Sequence, residues 1–347
     1  MNLRQTSRLW LLVLLCLVGM AIQAREVDRT SGLRQEIFDK MQVIQELADG
    51  DKLGEAEALL RDLLDGKLSD YEKAQSWFLM GYIRYQKEDM AGALKAYMEV
   101  MSTEDIPLGM RLNVMRTLSQ LYMVTEDYQN ALKFVDMLIS TELEPHADNH
   151  ILKAQILYQM ERMDASMTEI ETGIQLNAAL GLPPRENWLL LKNAIYYSRN
   201  DYKGMLTVVQ QLVGLYPRDR YLLNMAAIYG ELGDSKKQLA LMEPLYERGS
   251  LTNATHMINL ASLYMLHDIP VKAAKLLDRE IEAEHLEDNK RNMDMLAQAW
   301  LLSAHPERAV DPMKTAARLA DDGRGYVDLA RTYMSLLRWE EAEKSLQ

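Results

Sequence analysis

Several residue types are scarce in this chain, and each scarcity excludes something. There is one cysteine, Cys16, among 347 residues. A single thiol forms no intramolecular disulfide and cannot build a Cys-ligated zinc centre. Glycine and proline number only 17 and nine, which argues against a β-sandwich or a collagen-like chain. Phenylalanine occurs three times, against 17 tyrosines and 23 methionines. Basic residues are in deficit: 39 Lys and Arg face 51 Asp and Glu, for a formal charge of −12. Such a chain repels phosphate backbones, which argues against a nucleic-acid partner. Helix formers are abundant instead: Ala, Leu, Met, Glu, Lys and Gln dominate, with 48% hydrophobic and 26% charged residues.

The N-terminus reads as an address. Arg4 and Arg8 precede an apolar run at residues 9–18, and Gly19, Ala21 and Ala24 then supply small residues. This is the layout of a secretory signal peptide, with cleavage expected after Ala24. The run is short for a membrane span, and no later stretch of 18 apolar residues exists. Residues 1–24 hold Cys16 and no acid, so their removal leaves a chain without thiols and more acidic still. An exported chain without cysteine fits a bacterial periplasm, the expected localisation.

The remainder repeats. A small residue is followed three or four positions later by an aromatic, then a short polar turn, then a second small residue. Examples are Gly81…Tyr85…Ala93, Ser119…Tyr122…Ala131, Ala261…Tyr264…Ala273 and Ala330…Tyr333…Ala342, while Ala226…Tyr229…Gln238 departs from the pattern at its last position. The second-helix position falls at Ala56, Ala93, Ala131, Ser166, Met205, Gln238, Ala273, Ala309 and Ala342, at steps of 33 to 39 residues. Each unit carries two apolar-periodic runs, as in Met115, Leu118, Ser119 and Tyr122 at i, i+3, i+4 and i+7. Pro270 and Pro306 stand where second helices begin; Pro244 and Pro312 fall inside second helices and are expected to kink them.

This spacing resembles the tetratricopeptide (TPR) repeat, a helix–turn–helix unit of ~34 residues. The resemblance implies an all-α, right-handed α-solenoid of about nine TPR-like repeats. The break at residues 181–186 is read as a seam: repeats 1–4 over 25–182, repeats 5–9 over 183–347. No polar capping helix closes the array, so the native chain is expected to continue past Gln347.

Motifs for catalysis are missing. There is no phosphate loop, no nucleophile-elbow G-x-S-x-G and no H-E-x-x-H. His146 and His150, four apart, are the best metal candidates, and a metal-dependent enzyme built on them is the remote alternative. They are read as solvated or capping residues at a repeat junction. The acidic run at 280–287 reads as a solvated face. The expectation is therefore no enzyme, no catalytic residue, no cofactor, no metal and no small-molecule substrate.

In TPR arrays the first helices line the concave groove, and the resemblance carries that role to particular positions here. Those one past the small residue, and four or five past it, are Tyr82, Tyr85, Gln120, Met123, Gln155, Tyr158 and Tyr197. Phe78, Arg116 and Asn187 point the same way from earlier in those helices. Rings supply contact area and amides pair with a ligand backbone. The other reading of this set is ordinary packing.

Longer phrases are similar to one subfamily: residues 71–75, PPRENWLLLKNAIYY (183–197), YGELGDSKKQLALMEPLYERGSLT (229–252) and MLAQAWL (295–301). They resemble exported TPR proteins of Gram-negative bacteria that accompany the TonB–ExbB–ExbD system. The resemblance implies a periplasmic, non-catalytic scaffold in TonB-dependent transport, with TonB, ExbB/ExbD or another envelope protein as partner. The alternative is a scaffold for cell-envelope or outer-membrane assembly.

Overall fold

The computed structural model describes residues 32–320 and 323–347. The expected signal peptide, its cleavage site and Cys16 lie outside the described residues. Within them there is no strand, and eighteen helices follow one another. They are α1 (Gln35–Asp49), α2 (Leu53–Leu64), α3 (Asp70–Gln86), α4 (Met90–Ser102), α5 (Leu108–Val124), α6 (Tyr128–Thr141), α7 (Ala147–Gln159), α8 (Met163–Ala179) and α9 (Glu186–Ser198). Then come α10 (Tyr202–Leu215), α11 (Asp219–Glu231), α12 (Ser235–Glu247), α13 (Ala254–Leu266), α14 (Pro270–Glu282), α15 (Lys290–Leu302), α16 (Pro306–Arg318), α17 (Arg324–Ser335) and α18 (Trp339–Lys344). The order, long helices in consecutive pairs joined by short turns, is that of a TPR-like all-α solenoid.

One turn recurs nine times and explains the regularity. Each first helix ends with a residue of positive φ: Asp51, Glu88, Glu126, Glu161, Asn200, Gly233, Asp268, Ala304 and Leu337. The next residue donates its N–H to a carbonyl five back, at 2.8–2.9 Å, as in Asp127 to Tyr122 and Ile269 to Tyr264. The positive-φ residue donates to the carbonyl three back. This is a Schellman C-cap, which satisfies carbonyls that a helix end leaves without partners. The residue after it already stands at the N-cap of the next helix. Asp89, Asp127, Asp201 and Asp234 close that end by accepting from the N–H groups of Gly92, Asn130, Gly204 and Lys237 at 2.9–3.2 Å. Stop and start signals thus share two residues, which keeps each of these links short.

The small positions work as expected. Gly81, Ser119 and Ala154 on first helices are buried, and so are Ala56, Ala93, Ala131, Ser166, Ala273, Ala309 and Ala342 on second helices. Met205 and Gln238 are not small, yet they are buried at the same register. Each core spans neighbouring hairpins: Tyr97 and Val100 of α4 meet Val114 and Leu118 of α5. A single hairpin has no such inner side, so stacking supplies the burial. Pro270 and Pro306 open α14 and α16, while α12 and α16 run through Pro244 and Pro312.

The helices pack as two compact units, one ending at Arg162 and one starting at Met163. In the first, the hairpins α1–α2, α3–α4 and α5–α6 are followed by α7. In the second, α8 precedes five hairpins. The seam read at residues 181–186 is the link between α8 and α9, inside the second unit, because α8 packs on α9.

Candidate partner-binding face

First helices of the first unit present a strip of side chains to solvent. On α3, Phe78, Tyr82 and Tyr85 are half-buried; on α5, Arg116, Gln120 and Met123; on α7, Gln155 and Tyr158. None is buried, although Gly81, Ser119 and Ala154, one residue before Tyr82, Gln120 and Gln155, are. Successive helix positions are turned by about 100°, so Tyr82, Gln120 and Gln155 stand to one side of the buried line. Tyr85, Met123 and Tyr158 also occupy a fixed place in the turn: their carbonyls accept from Glu88, Glu126 and Glu161 at 2.9–3.2 Å. The cap therefore sets the end of the strip.

These side chains do not stand free of the core. Phe78 meets Tyr97 edge to face, with ring centroids 5.4 Å apart. Burial pushes the Tyr97 hydroxyl pKa up. Tyr82 accepts a hydrogen bond from the Gln86 amide at 3.0 Å. Arg116 donates through Nε to the buried Asn149 at 3.1 Å, and Asn149 donates to Glu142. That chain ties α5 to the start of α7 and uses the Nε edge of the guanidinium. Asn187 and Tyr197 lie on α9 in the second unit; both are exposed, Tyr197 at 66%.

The same register runs on into the late helices of the second unit. Gln298 and Arg331 are one past Ala297 and Ala330; Leu301 is four past Ala297. All three line a recess of about 650 Å³ between α15, α16 and α17, with Asp294, Met313 and Thr332. Gln298 and Arg331 hold in their helices the place that Tyr82 and Gln155 hold in theirs, one past the small residue.

Charged clusters tie hairpins together elsewhere. Glu57 on α2 is largely buried between Arg61, Arg84 and Lys87, the lysine at 2.5 Å. Glu280 on α14 accepts from Tyr246 of α12 at 2.6 Å and contacts Arg279 and His285 at 2.8 Å. Burial, and then the bond to Glu280, raise the Tyr246 pKa.

His146 is exposed at the N-cap of α7, its backbone N–H on Glu142 at 3.1 Å, and His150 is half-buried one turn on. Among the described residues no group of three or more His, Cys, Asp or Glu is placed to hold a metal ion, and no helix is long and apolar enough to cross a membrane.

No family model matches the chain, and no curated protein does. Among solved structures, a tetratricopeptide repeat protein from Parabacteroides merdae is similar at 14% identity and a TM-score of 0.47, over 87% of this chain and 100% of that one. MamA from Desulfovibrio magneticus gives 13% and 0.36, over 46% and 90% of the two chains. The TPR2AB-domain:pHSP90 complex of yeast Sti1 gives 11% and 0.40, over 69% and 89%.

Proposed function

We propose that this chain is a non-catalytic TPR scaffold that holds a segment of a partner protein on its first-helix face. The observation that carries the reading is the sharp change of burial along α3, α5 and α7. Gly81, Ser119 and Ala154 are enclosed, while Tyr82, Gln120 and Gln155 keep an open edge. Rings that are packed on one side and open on the other lose little freedom on binding, and amides beside them can pair with a peptide backbone. In this reading the protein is exported to the periplasm and serves as an accessory of TonB-dependent transport.

Two experiments test the two levels. A photo-crosslinking residue at Tyr85 or Tyr158 should capture a discrete partner in cells, and one at the exposed Lys95 should not. Equal capture from both would remove the face from the proposal. A deletion strain should grow poorly under iron limitation and take up ferric siderophore slowly. Normal uptake with altered envelope permeability would move the role to envelope assembly.

A further inference from the structure

The chain carries a formal charge of −12, yet one edge of the second unit is basic. Glu186 is the first residue of α9, Arg218 the N-cap of α11 and Arg220 its second residue. One oxygen of Glu186 accepts from Arg218 at 2.7 Å, from Arg220 and from the Tyr221 hydroxyl. A single carboxylate thus faces two guanidinium groups. Asp219, between the two arginines in sequence, accepts from Arg248 and from the Ser250 hydroxyl. Arg185 leans over Trp188, 5.2 Å from the ring centroid. Three arginines, Arg218, Arg220 and Arg248, thus face two carboxylates.

The shared carboxylate fixes both arginines without using them up. A guanidinium has five N–H donors. The bonds to Glu186 and Tyr221 take one from Arg218 and two from Arg220. Both side chains remain 52% exposed. Pre-positioned, half-open guanidinium groups with donors to spare favour planar anions that accept two bonds at once.

We propose that this edge binds a carboxylate-rich segment of a partner protein, with acidic side chains seated on Arg218 and Arg220. The proposal rests on the scaffold reading for its ligand being a protein, and it adds a second contact away from the aromatic strip. The probe is a labelled octaglutamate peptide, titrated into the full chain at low and at raised salt. Wild type should bind, and raised salt should weaken binding. Arg218→Gln/Arg220→Gln should weaken it about tenfold, and Arg218→Lys/Arg220→Lys by less. Lys95→Gln, at an exposed cation of α4, should bind like wild type, which separates this edge from a general loss of positive charge. Circular dichroism checks that each variant is folded; if the Gln pair is not, the Lys pair alone decides. Absence of binding at low salt, or binding that neither arginine pair changes, overturns the proposal. So does saturation of the edge by inorganic phosphate that octaglutamate cannot displace, which marks a small-anion site. Self-association abolished by the same substitutions would assign the edge to the acidic run of a second copy and likewise overturn it.

Discussion

The ring of Tyr97 lies so close to Gly81 that a Cβ on the glycine would stand 2.7 Å from its carbons. This contact sets the spacing of α3 and α4, and with it the position of Phe78, Tyr82 and Tyr85. Gly81→Ala should therefore lower stability by about 1–3 kcal/mol, the cost of overpacking a tight core. Gly54, in α2, has nothing within 4 Å of the same built atom. Gly54→Ala should raise stability by about 0.5–1 kcal/mol through the unfolded state. Urea midpoints of the two variants moving in the same direction would contradict the close approach.

The hairpins were legible because a repeat prints one physical requirement many times. Small residues at Gly81, Ser119 and Ala261 mark close helix contacts, and the short polar turn after each aromatic marks the link between helices. The ordinary residues at positive φ were not legible: Leu337 and Ala304 carry no local sign of the left-handed backbone they adopt. Nor was Arg84, which occupies in α3 the place that Tyr122 and Tyr264 hold in their helices. The strip was legible as a register, and that register also holds Gln298, Leu301 and Arg331. Which cations share Glu186 was not, since Arg218 and Arg220 lie more than 30 residues away in sequence.

Leu337 has φ near +58° and is 74% exposed. Its Cβ is strained there and its side chain gains little burial. Leu337→Gly relieves the strain and increases the freedom of the unfolded chain; the first effect is the larger. The net gain should be about 0.5–1 kcal/mol. Gly233 sits in the equivalent turn at φ near +76°, so Gly233→Ala should destabilise by about 1 kcal/mol. Thermal melts of both variants check the sign. A Leu337→Gly protein that melts earlier would show the turn to be unstrained.

Four late hairpins set a cation over the aromatic ring of the first helix. Lys237 faces Tyr229 at 5.0 Å, Lys272 faces Tyr264 at 5.7 Å, Arg308 faces Trp300 at 3.7 Å and Arg338 faces Tyr333 at 4.8 Å. Arg308 is the closest, and it also holds Asp278 at 2.8 Å. Arg308→Gln should cost about 0.5–1 kcal/mol and change the Trp300 emission. Arg331 pairs with Asp328 on the same helix, and both are well exposed. Arg331→Gln should cost close to nothing. Equal losses in chemical denaturation would mean that the ring contact contributes no stability.

Glu72 gives the chain an acid-sensitive joint. Its side chain is 1% exposed and accepts from Arg34 through Nε and a terminal nitrogen, both at 2.8 Å, and from the backbone N–H groups of Arg34 and Ser69 at 3.0 and 2.9 Å. The Arg34 guanidinium, foremost, holds the Glu72 pKa down at about 2, against an ordinary 4.5. A carboxyl depressed in the folded state binds its proton more readily when unfolded, so its stabilisation is complete above about pH 4.5 and fades as the pH falls toward 2. Glu72→Gln removes this contribution at every pH. The variant should be less stable than wild type by about 2 kcal/mol at pH 6. The two should converge as the solution is acidified, because wild type then loses what the variant already lacks. A stability difference that stays constant from pH 6 down to pH 3 would mean that the Arg34–Glu72 contact does not depend on the carboxylate charge.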